Sequence, residues 1–271
     1  MTSLPVRVSK GPSVHDLRSG NALITGAATS TGTSIALAFA EHGCGRIFLA
    51  DTSSAEGLRT CRDTIKRRYP SVQVHIKEFD GSSEETVDRL FSEVVEALER
   101  IDFAVNVVSQ GRDGEASVPT GLSVEGYDRN FQVYQRAAFM IQRGLLRKMI
   151  NQDVLPETDA RGSIVNVVDH GPTPTLADLP VLAVVAFAIV GFSKTDACDY
   201  APDKIRVNCL AASEVMIRKT RPELPGGVPL PRKGSPDDVA NAAVWLSAPG
   251  SSWMTGLVVP VDGGRSLHHW W

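Results

Sequence analysis

The chain has 271 residues and a mass of 29.1 kDa, enough for one large hydrophobic core and too little for two domains of ordinary size. Hydrophobic residues make up 42% of it and charged residues 22%, a globular composition that excludes an intrinsically disordered chain. A formal net charge of -3 at pH 7 gives no electrostatic reason to expect a nucleic-acid partner.

The cysteines and the apolar segments indicate the cellular location of the protein. The four cysteines form neither a CxxC pair nor a zinc-ligand spacing, so we expect free thiols, no metal site and a cytoplasmic protein. Residues 1–20 form a polar N-terminal extension without the apolar core of a signal peptide. The most apolar stretch, 179–192, is shorter than the roughly 20 residues that span a bilayer. It predicts a buried helix and no membrane partner.

Apolar runs bounded by turn residues alternate with helical patterns from residue 21 almost to the C-terminus. The predicted strands cover 22–25, 46–50, 72–79, 103–108, 163–168, 206–210 and 257–261. The helical patterns cover 34–42, 84–100, 127–150 and 181–200. The strand candidates are continuously apolar, as expected when helices cover both faces of a sheet. Repeated β-α-β units predict one α/β domain over residues 21–271, with a doubly wound parallel sheet and right-handed crossovers.

A proline-rich segment follows the sixth predicted strand. Five prolines lie between residues 222 and 236, and the segment is too long for a simple connector. Ligands of open parallel sheets bind at the carboxyl ends of the strands. We therefore interpret residues 213–235 as a substrate lid.

Small residues fill the turn between the first strand and the first helix. The turn reads Thr25-Gly26-Ala27-Ala28-Thr29-Ser30-Thr31-Gly32. Glycines in such a turn let the backbone approach a pyrophosphate, which is then held at the helix N-terminus. Asp51 ends the second strand, where an acid binds a ribose hydroxyl, and Asp80 follows the third strand, where it can bracket an adenine. The pattern predicts a dinucleotide site; the alternative is a βα turn without a ligand.

These residues resemble the short-chain dehydrogenase/reductase superfamily, whose glycine motif is TGxxxGxG. Ser30 replaces the middle glycine, Asn106 stands at the first position of the family's NNAG motif, and 261–264 match its C-terminal DGG motif. The resemblance covers almost the whole chain from residue 21. It implies a Rossmann-type fold with strand order 3-2-1-4-5-6-7, and NADP(H) or NAD(H) as the cofactor.

The resemblance also assigns cofactor-binding residues around the glycine turn and the ends of the neighbouring strands. They are Thr25, Gly26, Ser30, Thr31, Gly32, Asp51, Thr52, Ser53, Asp80 and Asn106. The choice between the two cofactors stays open at this stage. The carboxylate of Asp51 would repel a 2′-phosphate, whereas Thr52, Ser53, Ser54 and Arg59 could receive one.

The four residues with which the family reduces carbonyl groups are all replaced. The family spacing places Asp169 at the serine, Leu182 at the tyrosine, Ala186 at the lysine and Tyr134 at the asparagine. Leu182 has no proton to donate to an alkoxide, which excludes ordinary alcohol and ketone chemistry. Two interpretations remain. One is a non-catalytic dinucleotide-binding scaffold subunit, and the other is a reaction that uses a nicotinamide but no acid.

Asp169 favours the second interpretation. A carboxylate beside a nicotinamide attracts a cation, and an iminium ion becomes a neutral amine on reduction without any protonation. Leu182, Ala186 and Tyr134 would form an apolar substrate pocket, which strengthens the attraction. The alternative is that Asp169 caps a turn or pairs with a nearby arginine, Arg129 or Arg136.

The chain lacks all four of the family's catalytic residues and has an aspartate, Asp169, in place of the serine. This pattern resembles the reductase/Diels–Alderases of fungal prenylated indole alkaloid biosynthesis. The resemblance implies a reductive cyclase that reduces an iminium intermediate and steers an intramolecular Diels–Alder reaction to a bicyclic diazaoctane. Its partner would be a large, apolar, cationic small molecule. Asp169 would be the catalytic, cation-stabilising acid.

Two apolar segments predict a homo-oligomer. Residues 181–192 resemble the family's dimer helix, and the tail 267–271 is too apolar for a free terminus. Isologous packing of one helix against its copy is the usual solution for such a surface. His268 and His269 are adjacent and so share neither a helix face nor a strand face, which gives no metal site.

Overall fold

Seven strands build the core of the protein in a computed structural model. The structure describes residues 15–18, 20–108, 121–155, 158–169, 180–212, 229–230 and 232–266. The strands are β1 (Asn21–Thr25), β2 (Arg46–Asp51), β3 (Gln73–Glu78), β4 (Phe103–Val108), β5 (Gly162–Asp169), β6 (Ile205–Ala212) and β7 (Val258–Val261). They form one parallel sheet in the order β3-β2-β1-β4-β5-β6-β7, which confirms the predicted fold class and strand order.

Helices cover both faces of this sheet. The α-helices are α1 (Ser30–Glu41), α2 (Ala55–Arg68), α3 (Glu84–Leu98), α4 (Val124–Asn130), α5 (Ala137–Met149), α6 (Pro180–Asp199) and α7 (Pro236–Ser247). A π-helical segment, Phe131–Arg136, joins α4 to α5, and a short 3-10 helix, Pro249–Ser251, follows α7. One hydrophobic cluster holds α1, α2 and α7 on one face, and two others hold α3, α5 and α6 on the opposite face.

Two helices and one helix start differ from the sequence prediction. α2 buries only a narrow stripe of Leu58, Cys61 and Ile65 among charged residues, and α7 buries mostly small alanines and valines. Both helices were absent from the predicted set, because α2 has few apolar residues among its charged ones and the apolar residues of α7 are mostly small. The first helix begins at Ser30 rather than residue 34, because the glycine turn itself supplies its first turn.

The prediction of continuously apolar strands is wrong for β3. Gln73, His75 and Glu78 are exposed, and Val74 is its one buried residue. β3 pairs only with β2 and forms the edge of the sheet. An edge strand is covered less completely than a central one, so it needs fewer apolar residues.

α6 is the most apolar helix of the described chain. The segment Val181–Asp199 is long and apolar enough to cross a membrane by length and composition. It packs instead on β5 and β6, where Val185, Ala186 and Ile189 are buried. The predicted helix is confirmed, but only one of its faces is buried, since Val184 and Phe187 are exposed. The predicted free state of the four cysteines is confirmed as well.

The N-terminus of α7 is fixed by one carboxylate. Asp238 accepts hydrogen bonds from the backbone N–H of Ser235 at 2.8 Å and its hydroxyl at 3.1 Å. Two further bonds of 2.7 Å come from the guanidinium of Arg232. These bonds, led by that of Arg232, lower the pKa of Asp238 well below its ordinary range. α7 packs against α1, so this cap supports the helix that carries the glycine turn.

We predict that Asp238→Ala lowers the free energy of unfolding by about 1 kcal/mol at pH 7, as loss of a helix cap does. Because the folded-state pKa is lowered, the contribution of the carboxylate is complete above the ordinary aspartate value of about 3.9. It disappears as the pH falls through the folded-state pKa. Urea unfolding of wild type and variant between pH 2 and 7 tests this. A difference that grows toward acid pH would contradict it.

Candidate functional site

The turn between β1 and α1 leaves no room for side chains at its two glycines. Gly26 has a φ of +66°, and a Cβ there would lie 2.3 Å from the carbonyl oxygen of Val107. A Cβ at Gly32 would lie 2.1 Å from the carbonyl oxygen of Gly26. Strand and helix therefore meet backbone to backbone, the geometry that lets a pyrophosphate reach a helix N-terminus.

Thr29 holds this turn in place. Its hydroxyl accepts a hydrogen bond from the N–H of Gly32 at 3.0 Å and donates one to the carbonyl of Gly26 at 2.8 Å. Ser30, which replaces the family's middle glycine, is the exposed first residue of α1. Its backbone is helical, so serine fits without strain. Thr31 follows and is 1% exposed, and its hydroxyl has no hydrogen-bond partner in the part of the chain that the structure describes.

Asp51 ties the end of β2 to the same turn. One carboxylate oxygen accepts the N–H of Ala28 at 2.9 Å, and the other accepts the N–H and hydroxyl of Ser53 at 2.9 and 2.8 Å. Asp51 is 3% exposed, whereas Thr52 is exposed at the rim. The hydroxyl of Ser54 accepts the N–H of Gly57 and caps α2.

The end of β3 repeats this arrangement. Asp80 accepts hydrogen bonds from the hydroxyl of Ser82 at 2.7 Å and from its N–H at 2.9 Å, and both lower the pKa of Asp80. Asp80 is exposed, and the N–H of Phe79 binds the carbonyl of Asp51 at 3.1 Å. The two Asp-x-Ser turns are therefore neighbours at the carboxyl edge of the sheet, beside the glycine turn. The structure brings these predicted residues together.

Thr25 and Asn106 are engaged inside the sheet. The Thr25 hydroxyl donates to Oδ1 of Asn106 at 2.6 Å, and Nδ2 of Asn106 donates to Oδ1 of Asn166 at 3.3 Å. These side chains link β1, β4 and β5 and are at most 3% exposed. Their direct contact with a cofactor stays a prediction; the structure gives them a positioning role.

The other end of the site lies at the carboxyl end of β5. Asp169 is the last residue of β5 and pairs in register with Ala212 of β6; its side chain lies outside the described part of the structure. Leu182 and Ala186 lie one turn apart on α6 and are 8% and 2% exposed. Tyr134 packs on the apolar cluster that contains Ala186. The structure thus brings Tyr134 and Ala186 to one cluster.

Tyr134 sits in the π-helical segment, a feature that the sequence analysis missed. π-helical turns are rare and occur often at functional sites. Arg136, in the same segment, donates to the carbonyl of Ser82 at 2.9 Å. Of the predicted lid, residues 213–228 and 231 lie outside the described residues. Within the described part, the N–H of Leu230 binds the carbonyl of Gly263 at 3.1 Å.

The residues around the turn fit a nicotinamide dinucleotide. A Cβ-free cradle opens α1, an unpartnered hydroxyl lies within it, and two carboxylate turns stand where the adenosine half would be. Together with the strand order, they define a Rossmann-type dinucleotide-binding protein.

Comparison with known proteins assigns the family. A family model described as enoyl-(acyl carrier protein) reductase matches residues 26–266. Short-chain dehydrogenase srdC of Neurospora crassa is 32% identical over 92% of this chain and 97% of its own length. Short-chain dehydrogenase anuF of Penicillium roqueforti is 27% identical over 92% and 96%. The chain belongs to the short-chain dehydrogenase/reductase superfamily and is an NAD(P)(H)-dependent oxidoreductase.

Solved structures agree on the fold. Levodione reductase superposes with a TM-score of 0.83 at 23% identity, covering 93% of this chain and 100% of that chain. NAD+-bound xylitol dehydrogenase gives a TM-score of 0.79 at 24% identity, covering 92% and 99%. At these identities the similarity establishes the fold and not the substrate.

We predict that Gly32→Ala abolishes measurable NADH binding, because the added Cβ collides with the Gly26 carbonyl and moves the turn. Gly45→Ala is the matched control, since a Cβ at Gly45 meets no atom within 4 Å. Isothermal titration calorimetry with NADH and circular dichroism would compare the two folded variants. Wild-type affinity in a folded Gly32→Ala protein would show that the cradle does not hold the cofactor.

Proposed function

We propose that this oxidoreductase is a reductive cyclase of alkaloid biosynthesis. It would reduce an iminium intermediate and then steer an intramolecular Diels–Alder cyclisation to a bicyclic diazaoctane of the prenylated indole type. The observation that carries the proposal is the combination of an acidic residue, Asp169, at the carboxyl end of β5 with two buried apolar residues, Leu182 and Ala186, on α6.

Asp169 supplies the negative charge that an iminium substrate needs. When bound, NADH or NADPH supplies the hydride and leaves oxidised. The C=N⁺ carbon gains a C–H bond, the nitrogen recovers its lone pair, and no proton has to enter. Asp169 stabilises the cationic substrate, and a fixed charge acts strongly in a site that excludes water. The missing proton donor at Leu182 is then no obstacle.

Leu182, Ala186 and Tyr134 give the site its apolar wall. Side chains of this kind exclude water and bind a large hydrocarbon-rich molecule through its surface. A closed apolar pocket also holds the diene and the alkene of the reduced product in contact. Holding two reacting groups in place removes much of the entropic part of a cyclisation barrier.

The proposal takes NADH as the preferred reductant. The buried carboxylate of Asp51 disfavours a 2′-phosphate. Two of the hydroxyls that could have received that phosphate are engaged elsewhere, because Ser53 binds Asp51 and Ser54 caps α2. The relatives named short-chain dehydrogenases support a reductase, and the cyclisation step depends on the experiment below.

We predict that Asp169→Asn lowers the rate of iminium reduction on the order of 10²–10³, because loss of one well-placed charge in a dry site has that effect. The affinity for NADH should stay near that of wild type. Asp169→Ser, which restores the family residue, should not rescue the rate, since Leu182 still cannot donate a proton. Stopped-flow NADH oxidation with cyclic iminium and prenylated indole precursors measures this, and product analysis detects the cyclised compound.

Asp88→Asn is the matched control, since it removes an exposed carboxylate from α3. It should react as wild type does. Simple ketones should not be reduced by any of these proteins. Should wild type and Asp169→Asn behave alike, with neither consuming NADH, the chain would be a non-catalytic dinucleotide-binding scaffold instead. Robust ketone reduction would instead mean that the alignment of this chain with the family's four catalytic residues is wrong.

We also propose that the chain forms a homo-oligomer through α5 and α6. Three large apolar side chains are exposed on these neighbouring helices: Phe139 at 45%, Val184 at 40% and Phe187 at 47%. Large apolar side chains exposed on neighbouring helices mark an interaction surface. A second copy of the chain fits it by two-fold packing of identical helices.

We predict that Phe187→Glu dissociates the oligomer, because it would bury a charge in an apolar contact. Size-exclusion chromatography with light scattering measures the mass of each species. Val124→Glu is the control, since Val124 is 72% exposed on α4 and outside the proposed surface. A monomeric wild type, or an unchanged mass for Phe187→Glu, would refute this packing.

A further inference from the structure

Thr31 differs from the other threonines of the glycine turn. The hydroxyls of Thr25, Thr29 and Thr33 all have partners, at Oδ1 of Asn106, the Gly26 carbonyl and the Ala27 carbonyl. The hydroxyl of Thr31 is buried and has none among the described residues. Thr31 is the second residue of α1 and is 1% exposed.

A buried hydroxyl without a partner destabilises the protein that contains it, because the group has lost its hydrogen bonds to water. Valine has nearly the same shape and would fill the same space without this loss. The ligand-free turn therefore carries an unfavourable group at the position where α1 begins. A partner that arrives with a ligand would remove the defect.

The location indicates which ligand. Side chains in a helix lean toward its N-terminus, and the N-terminus of α1 is the anion-binding end of the cradle. Threonine in a helix occupies two χ1 rotamers, so one rotation can exchange the positions of its methyl and hydroxyl groups. The preceding residue, Ser30, is exposed, so the edge of the turn is open to a ligand.

We propose that the hydroxyl of Thr31 donates a hydrogen bond to an oxygen of the bound dinucleotide, so that cofactor binding satisfies a group left unpaired in the free protein. This inference rests on the dinucleotide binding that the proposed function also needs. The side chain of Thr31 would bind the dinucleotide, whereas the two glycines let the backbone approach it. This hydrogen bond also couples the stability of the turn to its ligand.

This coupling predicts that one substitution stabilises the free protein and weakens its binding of NADH. Thr31→Val should raise the melting temperature of the free protein, because the unpaired hydroxyl is gone. It should also weaken NADH binding about tenfold, because one hydrogen bond to the ligand is lost. Thr31→Ser keeps the hydroxyl and should bind NADH within about twofold of wild type.

Thr33→Val is the matched control on the same helix. It removes a hydroxyl that is already bonded to the Ala27 carbonyl at 3.0 Å. The free protein should therefore melt at a lower temperature; Thr33→Val controls this readout alone, because its hydroxyl bonds a carbonyl of the turn that holds the cofactor. The two variants remove the same group two residues apart and should change melting temperature in opposite directions.

Differential scanning calorimetry of the ligand-free proteins and titration calorimetry with NADH provide both readouts without an activity assay. The expected result is a higher melting temperature with a weaker dissociation constant for Thr31→Val. An unchanged dissociation constant, or a lower melting temperature, would overturn the role of Thr31 while leaving the proposed function intact. A wild type that binds no NADH would overturn both.

Discussion

Three buried polar side chains stand in one row across the middle of the sheet, and the positions of the strand ends depend on them. Thr25, Asn106 and Asn166 are register partners in β1, β4 and β5, and each donates to or accepts from the next. A slip of one residue would turn these polar groups to the opposite face and leave them unpaired. The row therefore fixes where each strand ends at the cofactor edge.

The same hydrogen bonds continue beyond the sheet. Nδ2 of Asn166 donates to Ser193 of α6 at 2.8 Å and to Gln142 of α5 at 3.2 Å, and Gln142 donates to Asp196 at 3.1 Å. Three side-chain amides, those of Asn106, Asn166 and Gln142, each donate toward Asp196. Hydrogen bonds aligned in this way strengthen one another. Burial raises the pKa of the final carboxyl, Asp196. The glycine turn is thus connected through the core to the two helices that carry the exposed phenylalanines.

The sequence alone predicted the sheet, its strand order and the cofactor edge, because buried parallel strands are apolar runs and glycines are required by local geometry. It failed where the signal is not local. α7 buries mostly alanines and valines, which give little periodicity, and the π-helical segment around Tyr134 leaves no mark in residue types. The unpaired hydroxyl of Thr31 depends on which atoms surround it, and no motif records that.

Through the π-helical segment, the number of residues in the chain affects the shape of the proposed substrate pocket. In a π-helix each backbone bond reaches one residue further than in an α-helix, so the turn from Phe131 to Arg136 contains a residue that an α-helical turn would not. Loss of one residue there would convert the turn to α-helix while α4 and α5 keep their own packing. Tyr134 would then move to another side of the helix. A single deletion would therefore reshape the apolar surface beside Ala186 in a way that no substitution can.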